Sequence, residues 1–109
     1  MTALPPTAQP YHRTADFTES SIPSSLVARK HATKPGVWER IRVKEGRLRC
    51  HRGGADEQTE VLEPSREVVL EPGVPHRLEL LDEPVRVFIE FLRSSGVRGH
   101  WSARDHASQ

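Results

Sequence analysis

The sequence has one cysteine, Cys50, in 109 residues, and a single thiol excludes an internal disulfide. No apolar run approaches the roughly 20 residues of a membrane-spanning helix. The first ten residues have neither the basic start nor the apolar core of a secretion signal. An excess of one charge is also missing. Sixteen basic and fifteen acidic side chains leave a net charge of +1, which gives no electrostatic reason to expect nucleic acid or membrane as a partner. A Gly-rich nucleotide loop is lacking, and no stretch of roughly ten residues or more keeps a clean helical period. These absences predict a soluble, cytoplasmic protein without nucleic-acid or membrane partners.

What remains is a set of about eight short strands separated by Pro and Gly turns, which predicts an all-β barrel or sandwich. The strands fall at 11–14, 26–33, 37–43, through Leu48 and Cys50, and at 59–62, 66–70, 76–80 and 85–92. Turns are expected at Lys44-Glu45-Gly46, at Glu71-Pro72-Gly73-Val74-Pro75 and at Leu81-Asp82-Glu83-Pro84. In 37–43 the residues alternate. Val37, Glu39, Ile41 and Val43 share the buried side, and Trp38, Arg40 and Arg42 the outer one. Cys50 continues the apolar side with Leu48 as an ordinary buried thiol, while Arg47, Arg49 and His51 face outward. The strand 85–92 is apolar on both faces and is expected to be covered on both, so Glu90 within it meets protein rather than water. The packed domain is assigned to 11–93, with a disordered segment at 1–10 and a tail at 94–109 that carries Trp101. A domain of this size buries only about 60–65% of its extended-chain surface. Association would help it, and an outward Trp38 predicts a homodimer.

The run from His31 through Thr33-Lys34-Pro35-Gly36-Val37-Trp38-Glu39 to Gly46, followed by Gly73-Val74-Pro75-His76, resembles the two cupin motifs. The wording of the first resembles a narrower family, the small cupin-like proteins of the tellurite-resistance (TehB/YeaR-like) type. The resemblance implies a single small cupin (RmlC-like jelly-roll) β-barrel. It departs from the motif where Thr33 stands in place of a second His. On spacing alone a hydrogen-bonded core histidine is the simpler reading of His31 and of His76. The resemblance makes the pair ligands of one divalent metal ion, with Zn, Fe and Ni as the alternatives, completed by a carboxylate. The resemblance implies a small residue at the place of Glu39 in relatives of this type and sets Glu90 in a strand similar to the family's acid-bearing final strand, which ranks Glu90 first and Glu39 second.

The remaining histidines, His12, His51, His100 and His106, lie in a first strand, on an outward face or in the tail, and are given no role. Arg40, Arg42, Arg47 and Arg49 are expected to pair with Glu60, Glu67 or Glu79 as an ordinary solvated sheet face. No aromatic residue interleaves them, as a nucleic-acid surface would need. The function implied is a small metal-binding cupin that acts on or senses a small molecule in the barrel. The alternative is a binding or stress-response module without turnover.

Overall fold

The structure, a computed structural model, describes residues 4–94, so the tail expected over 94–109 lies outside the described residues except for Ser94. Its elements are β1 (Ala8–Arg13), β2 (Phe17–Thr18), α1 (Ser24–Val27), β3 (Val37–Arg52), β4 (Gln58–Leu62), β5 (Val68–Leu70) and β6 (His76–Ser94). The expected all-β class is what forms. No helix among the described residues is long and apolar enough to cross a membrane.

Two long antiparallel strands carry the molecule. β3 and β6 pair from Val37↔Arg93 to Arg52↔His76. β5 adds to the first half of β3 through Glu39↔Leu70 and Ile41↔Val68, and β4 adds to its second half from Leu48↔Leu62 to Arg52↔Gln58. On the far side of β6 lie β1 and β2. Glu39 therefore sits in the middle of a strip, with Phe91 on one side and Leu70 on the other.

The turns expected at Lys44-Glu45-Gly46 and Leu81-Asp82-Glu83-Pro84 are not chain reversals. They face each other as matching irregularities, with register shifts between Val43 and Leu48 and a cis Glu83–Pro84 peptide opposite, and both strands continue past them. Gly46 has φ +83°, and a Cβ there would clash with the Pro84 carbonyl and lie 2.6 Å from that of Asp82. The glycine serves a bulge rather than a hairpin: it lets two backbones cross closely while the ladder bends.

A second difference concerns 26–33. In place of a strand the chain makes one helical turn, in which the Leu26 N–H donates to the Pro23 carbonyl at 3.0 Å and Ala28 N–H to Ser24 at 2.8 Å. Pro23 has the extended backbone of an N-cap position, and the short Ser24-Ser25 pair is compatible with a first turn. Strand pairing survives at one residue, His31. The first strand begins at Ala8 rather than Tyr11.

The alternation read in β3 holds: Val37, Glu39, Ile41 and Val43 are all buried. Ile41, Leu48, Leu62, Leu70, Leu78 and Ile89 form the centre of the core, each at most 2% exposed. Full burial of a Leu or Ile contributes about 1.5–3 kcal/mol relative to leaving it in water. Cys50 lies among them, and burial, with the charge of Glu60 adding to it, pushes its thiol up to about 12, so it is not a nucleophile near neutral pH. The outer face of β6 is covered too. Phe88 is buried under the Arg13 guanidinium at 3.8 Å, with Lys44 and Arg42 at 5.4 and 5.8 Å.

Candidate metal centre

His31 and His76 are brought together by backbone. Each donates its N–H to the other's carbonyl, at 2.9 and 2.8 Å, as one isolated antiparallel bridge. Side chains of directly paired residues stand on the same face of a sheet, and the two imidazole centroids are 4.2 Å apart. Thr33, which replaces a second histidine, fixes the loop that carries His31. Its hydroxyl donates to the Val37 carbonyl at 2.7 Å, and its own carbonyl accepts from Gly73 N–H at 3.2 Å. The loop is thus tied both to the start of β3 and to the turn before β6.

Glu39 reaches the same point from the interior face of β3. It is 1% exposed, with Oε2 at 3.1 Å from His76 Nε2 and Oε1 at 3.9 Å from His31 Nε2. One ligand atom from each of His31, Glu39 and His76 lies within 4.8 Å of the others. Two imidazole nitrogens and a carboxylate form a donor set suited to Fe(II) or Zn(II) with coordination positions left open.

The hydrogen bonds say what charge this arrangement requires. His76 Nδ1 lies 2.9 Å from the Val74 carbonyl, which only accepts, so Nδ1 carries a proton. A neutral ring would then turn the Nε2 lone pair toward the lone pairs of Glu39. The contact holds only with a proton or a cation between the two atoms. The buried Glu39 Oε1 has no hydrogen-bond partner among the described residues. The residues present fit a metal ion.

The two rings are held in opposite directions. Burial pushes the pKa of His76 down, but its hydrogen bond to Glu39, the charge of that carboxylate and the Val74 carbonyl outweigh burial and raise it above the ordinary 6.5. Burial and then the neighbouring charge of His76 lower that of His31, against the pull of Glu39.

Glu90, ranked first from the sequence, is not brought to this cluster. It pairs with Arg40 in the ladder, on the face opposite Glu39, and its Oε1 accepts from Arg40 Nε at 2.8 Å with Arg42 at 3.8 Å. It does meet protein rather than bulk water, at 14% side-chain exposure. His51, expected to be exposed, is buried between Glu57 and Glu79 at 2.7 and 2.8 Å, because the 53–57 loop folds back over it. The arginine face is paired as expected in Arg42–Glu67 and Arg49–Glu79, while Arg47 takes Asp82 and Glu60 takes Arg52.

His12 and Tyr11, given no role from the sequence, line a cavity of about 870 Å³ together with His31, Glu39, Lys34 and Phe91. What hid them from the sequence is a bulge. The β1–β6 register shifts between Pro10 and His12, and such a shift can turn consecutive side chains to one side.

Comparison with known proteins agrees with this architecture. The model of the TehB-like domain matches residues 12–89. Among solved structures, TehB from Haemophilus influenzae is similar with a TM-score of 0.75 at 19% identity, over 94% of this chain and 39% of that one. This chain thus spans about two fifths of that TehB chain. A structural-genomics protein from Escherichia coli K12 is similar with a TM-score of 0.77 at 20% identity, over 86% of this chain and 98% of that one. A tryptophan-to-tyrosine variant of oxalate decarboxylase from Bacillus subtilis matches at 0.51 and 12% identity, over 95% of this chain and 32% of that one. No curated protein sequence matches significantly. The long β3–β6 ribbon with its short flanking strands is a small cupin barrel, and with the family match over residues 12–89 the chain belongs to the TehB-like domain family.

Proposed function

We propose that this domain binds one divalent metal ion through His31, Glu39 and His76 and uses it to hold or convert a small molecule in the adjoining cavity. The observation that carries the reading is the convergence of one ligand atom from each of His31, Glu39 and His76 within 4.8 Å, with the buried Glu39 Oε1 left without a hydrogen-bond partner among the described residues. When bound, a divalent ion there supplies Lewis acidity and open positions for a ligand. The chain's own residues do the rest: the Val74 carbonyl selects the His76 tautomer, the bridge aligns His31, and burial of Glu39 keeps water from competing for its oxygens. The test is elemental analysis of untagged protein, beside His31→Ala, His76→Ala, Glu39→Gln and Glu90→Gln. Stoichiometric metal in the wild type and in Glu90→Gln, with loss in the other three, is the expected result. Metal retained in Glu39→Gln, or absent from the wild type after growth in supplemented medium, would overturn it.

A binding module without metal or turnover is the second reading. It is favoured by the Glu39–His76 contact, which a ring proton closes as well as a cation. Under either reading we take the domain to be a cytoplasmic homodimer. Trp38, half-buried on the outer face of β3, is the contact to test by sedimentation of Trp38→Ala.

A further inference from the structure

The cavity beside His31 and Glu39 has an uneven distribution of charge. Among its lining residues Glu39 is the one acid, and it is already engaged by His76, while Lys34 and Arg93 are cationic. Lys34 is exposed and makes no ion pair among the described residues. Bound metal would add positive charge at the Glu39 end and remove none. With Glu39 engaged by His76, Lys34 leaves the cavity a positive charge in either state.

Its walls have a second character. His12 stacks on Phe91 with centroids 5.8 Å apart and planes inclined by 25°, and the Arg93 guanidinium lies 3.8 Å from the Tyr11 ring centroid. Leu26 and Val37 complete the apolar side. Flat rings in offset layers favour another flat apolar group, and a guanidinium over a ring is suited to an anion held at that group's edge.

We propose that this cavity takes a small monoanion with a flat apolar body, of the aromatic carboxylate class, with its charge toward Lys34 and Arg93 and its ring against Phe91, His12 and Tyr11. A cation of the same shape is repelled. A neutral isostere keeps the stacking and loses the charge-assisted contacts. The inference rests on the reading of this cavity as the binding site, but not on metal being present.

The test compares benzoate, benzamide and benzylammonium by calorimetry and ligand-detected NMR on the full chain, as purified and after chelation. Benzoate is expected to bind at least about tenfold more tightly than benzamide, the ratio that one retained charge-assisted contact supplies. Benzylammonium should bind most weakly. Lys34→Gln, a change at an exposed position, should bring benzoate toward benzamide. Equal binding of benzoate and benzamide, preference for benzylammonium, no binding of benzoate at millimolar concentration, or an unaltered preference in both Lys34→Gln and Arg93→Gln would each overturn the proposal. A benzoate preference that vanishes on chelation would assign the anion to the metal and overturn it, leaving the metal reading intact. Preference that persists after chelation would uphold it and leave the metal reading to be decided by elemental analysis.

Discussion

His31 and His76 form a ladder one rung long, with both backbone hydrogen bonds made and one further bond, from Gly73 N–H to the Thr33 carbonyl, beside it. The rung sets the spacing of the imidazoles before any ligand arrives, and it makes their protonation interdependent.

In protein freed of metal, one histidine should titrate above 6.5 and the other below it. His76, raised by folding, contributes stability that is fully present below its unfolded value near 6.5 and is lost as pH rises through its folded value. His31 has the opposite sign. Its lowered value favours the fold above 6.5, and that contribution is lost as pH falls through the folded value. NMR titration of the ring protons checks this, and two rings titrating together near 6.5 would contradict it.

Chelation should lower the melting temperature of the wild type and leave that of the His31→Ala, His76→Ala double variant unmoved. A ligand selective for the folded state stabilises by about 2.7 kcal/mol at a hundredfold excess over its Kd. Equal shifts in the two proteins would show that the chelator acts elsewhere.

Gly46→Ala should destabilise by more than about 1 kcal/mol, since its positive φ and the facing Asp82 and Pro84 carbonyls both oppose a Cβ. Gly54→Ala, with nothing within 4 Å of the added carbon and no positive φ, is the control. Urea unfolding of the two variants measures the difference.

Glu90→Gln should cost about 1–2 kcal/mol by leaving Arg40 with a weaker partner, and it should keep its metal. Parallel unfolding and elemental analysis separate the two effects. A variant that loses metal while keeping its stability would mean that Glu90 acts at the centre after all.

Acid should unfold the protein partly through Glu57. The hydrogen bonds it accepts from Lys30 and then from His51 hold its carboxyl down to about 2 from the usual 4.5. That contribution is present above 4.5 and lost as pH falls through about 2. Glu57→Gln should flatten the acid limb of the stability profile in this window.

The sequence shows which residues of β3 point inward because one strand with a clear period of two needs no partner to be read. His76 is legible for the same reason, through its alternation with Leu78. Glu90 is not. Which face of β6 turns inward depends on its register against β3, and the pairing Glu39↔Phe91 puts Glu90 beside Arg40 on the other side. A slip of one residue would have set Glu90 opposite Glu39, and nothing in a strand that is apolar on both faces reports that slip. His51 and His12 were hidden by long-range events, a loop folding back and a bulge. The turns at Gly46 and Pro84 carry ordinary turn residues, and only their facing each other makes them a bend in two continuous strands.

The Glu39–His76 contact has a geometric consequence for the whole barrel. Within the β3–β6 ladder these residues belong to opposite ends, since His76 pairs with Arg52 and Glu39 with Phe91. Laid flat at about 3.3 Å per residue, the ribbon would hold them roughly 40 Å apart, yet their side chains meet at 3.1 Å. The ribbon is a belt curled end to end, and this contact is its buckle. An ion seated there would clamp the belt shut, so its removal should speed hydrogen exchange along β3 and β6 as a unit rather than in the His31 loop alone.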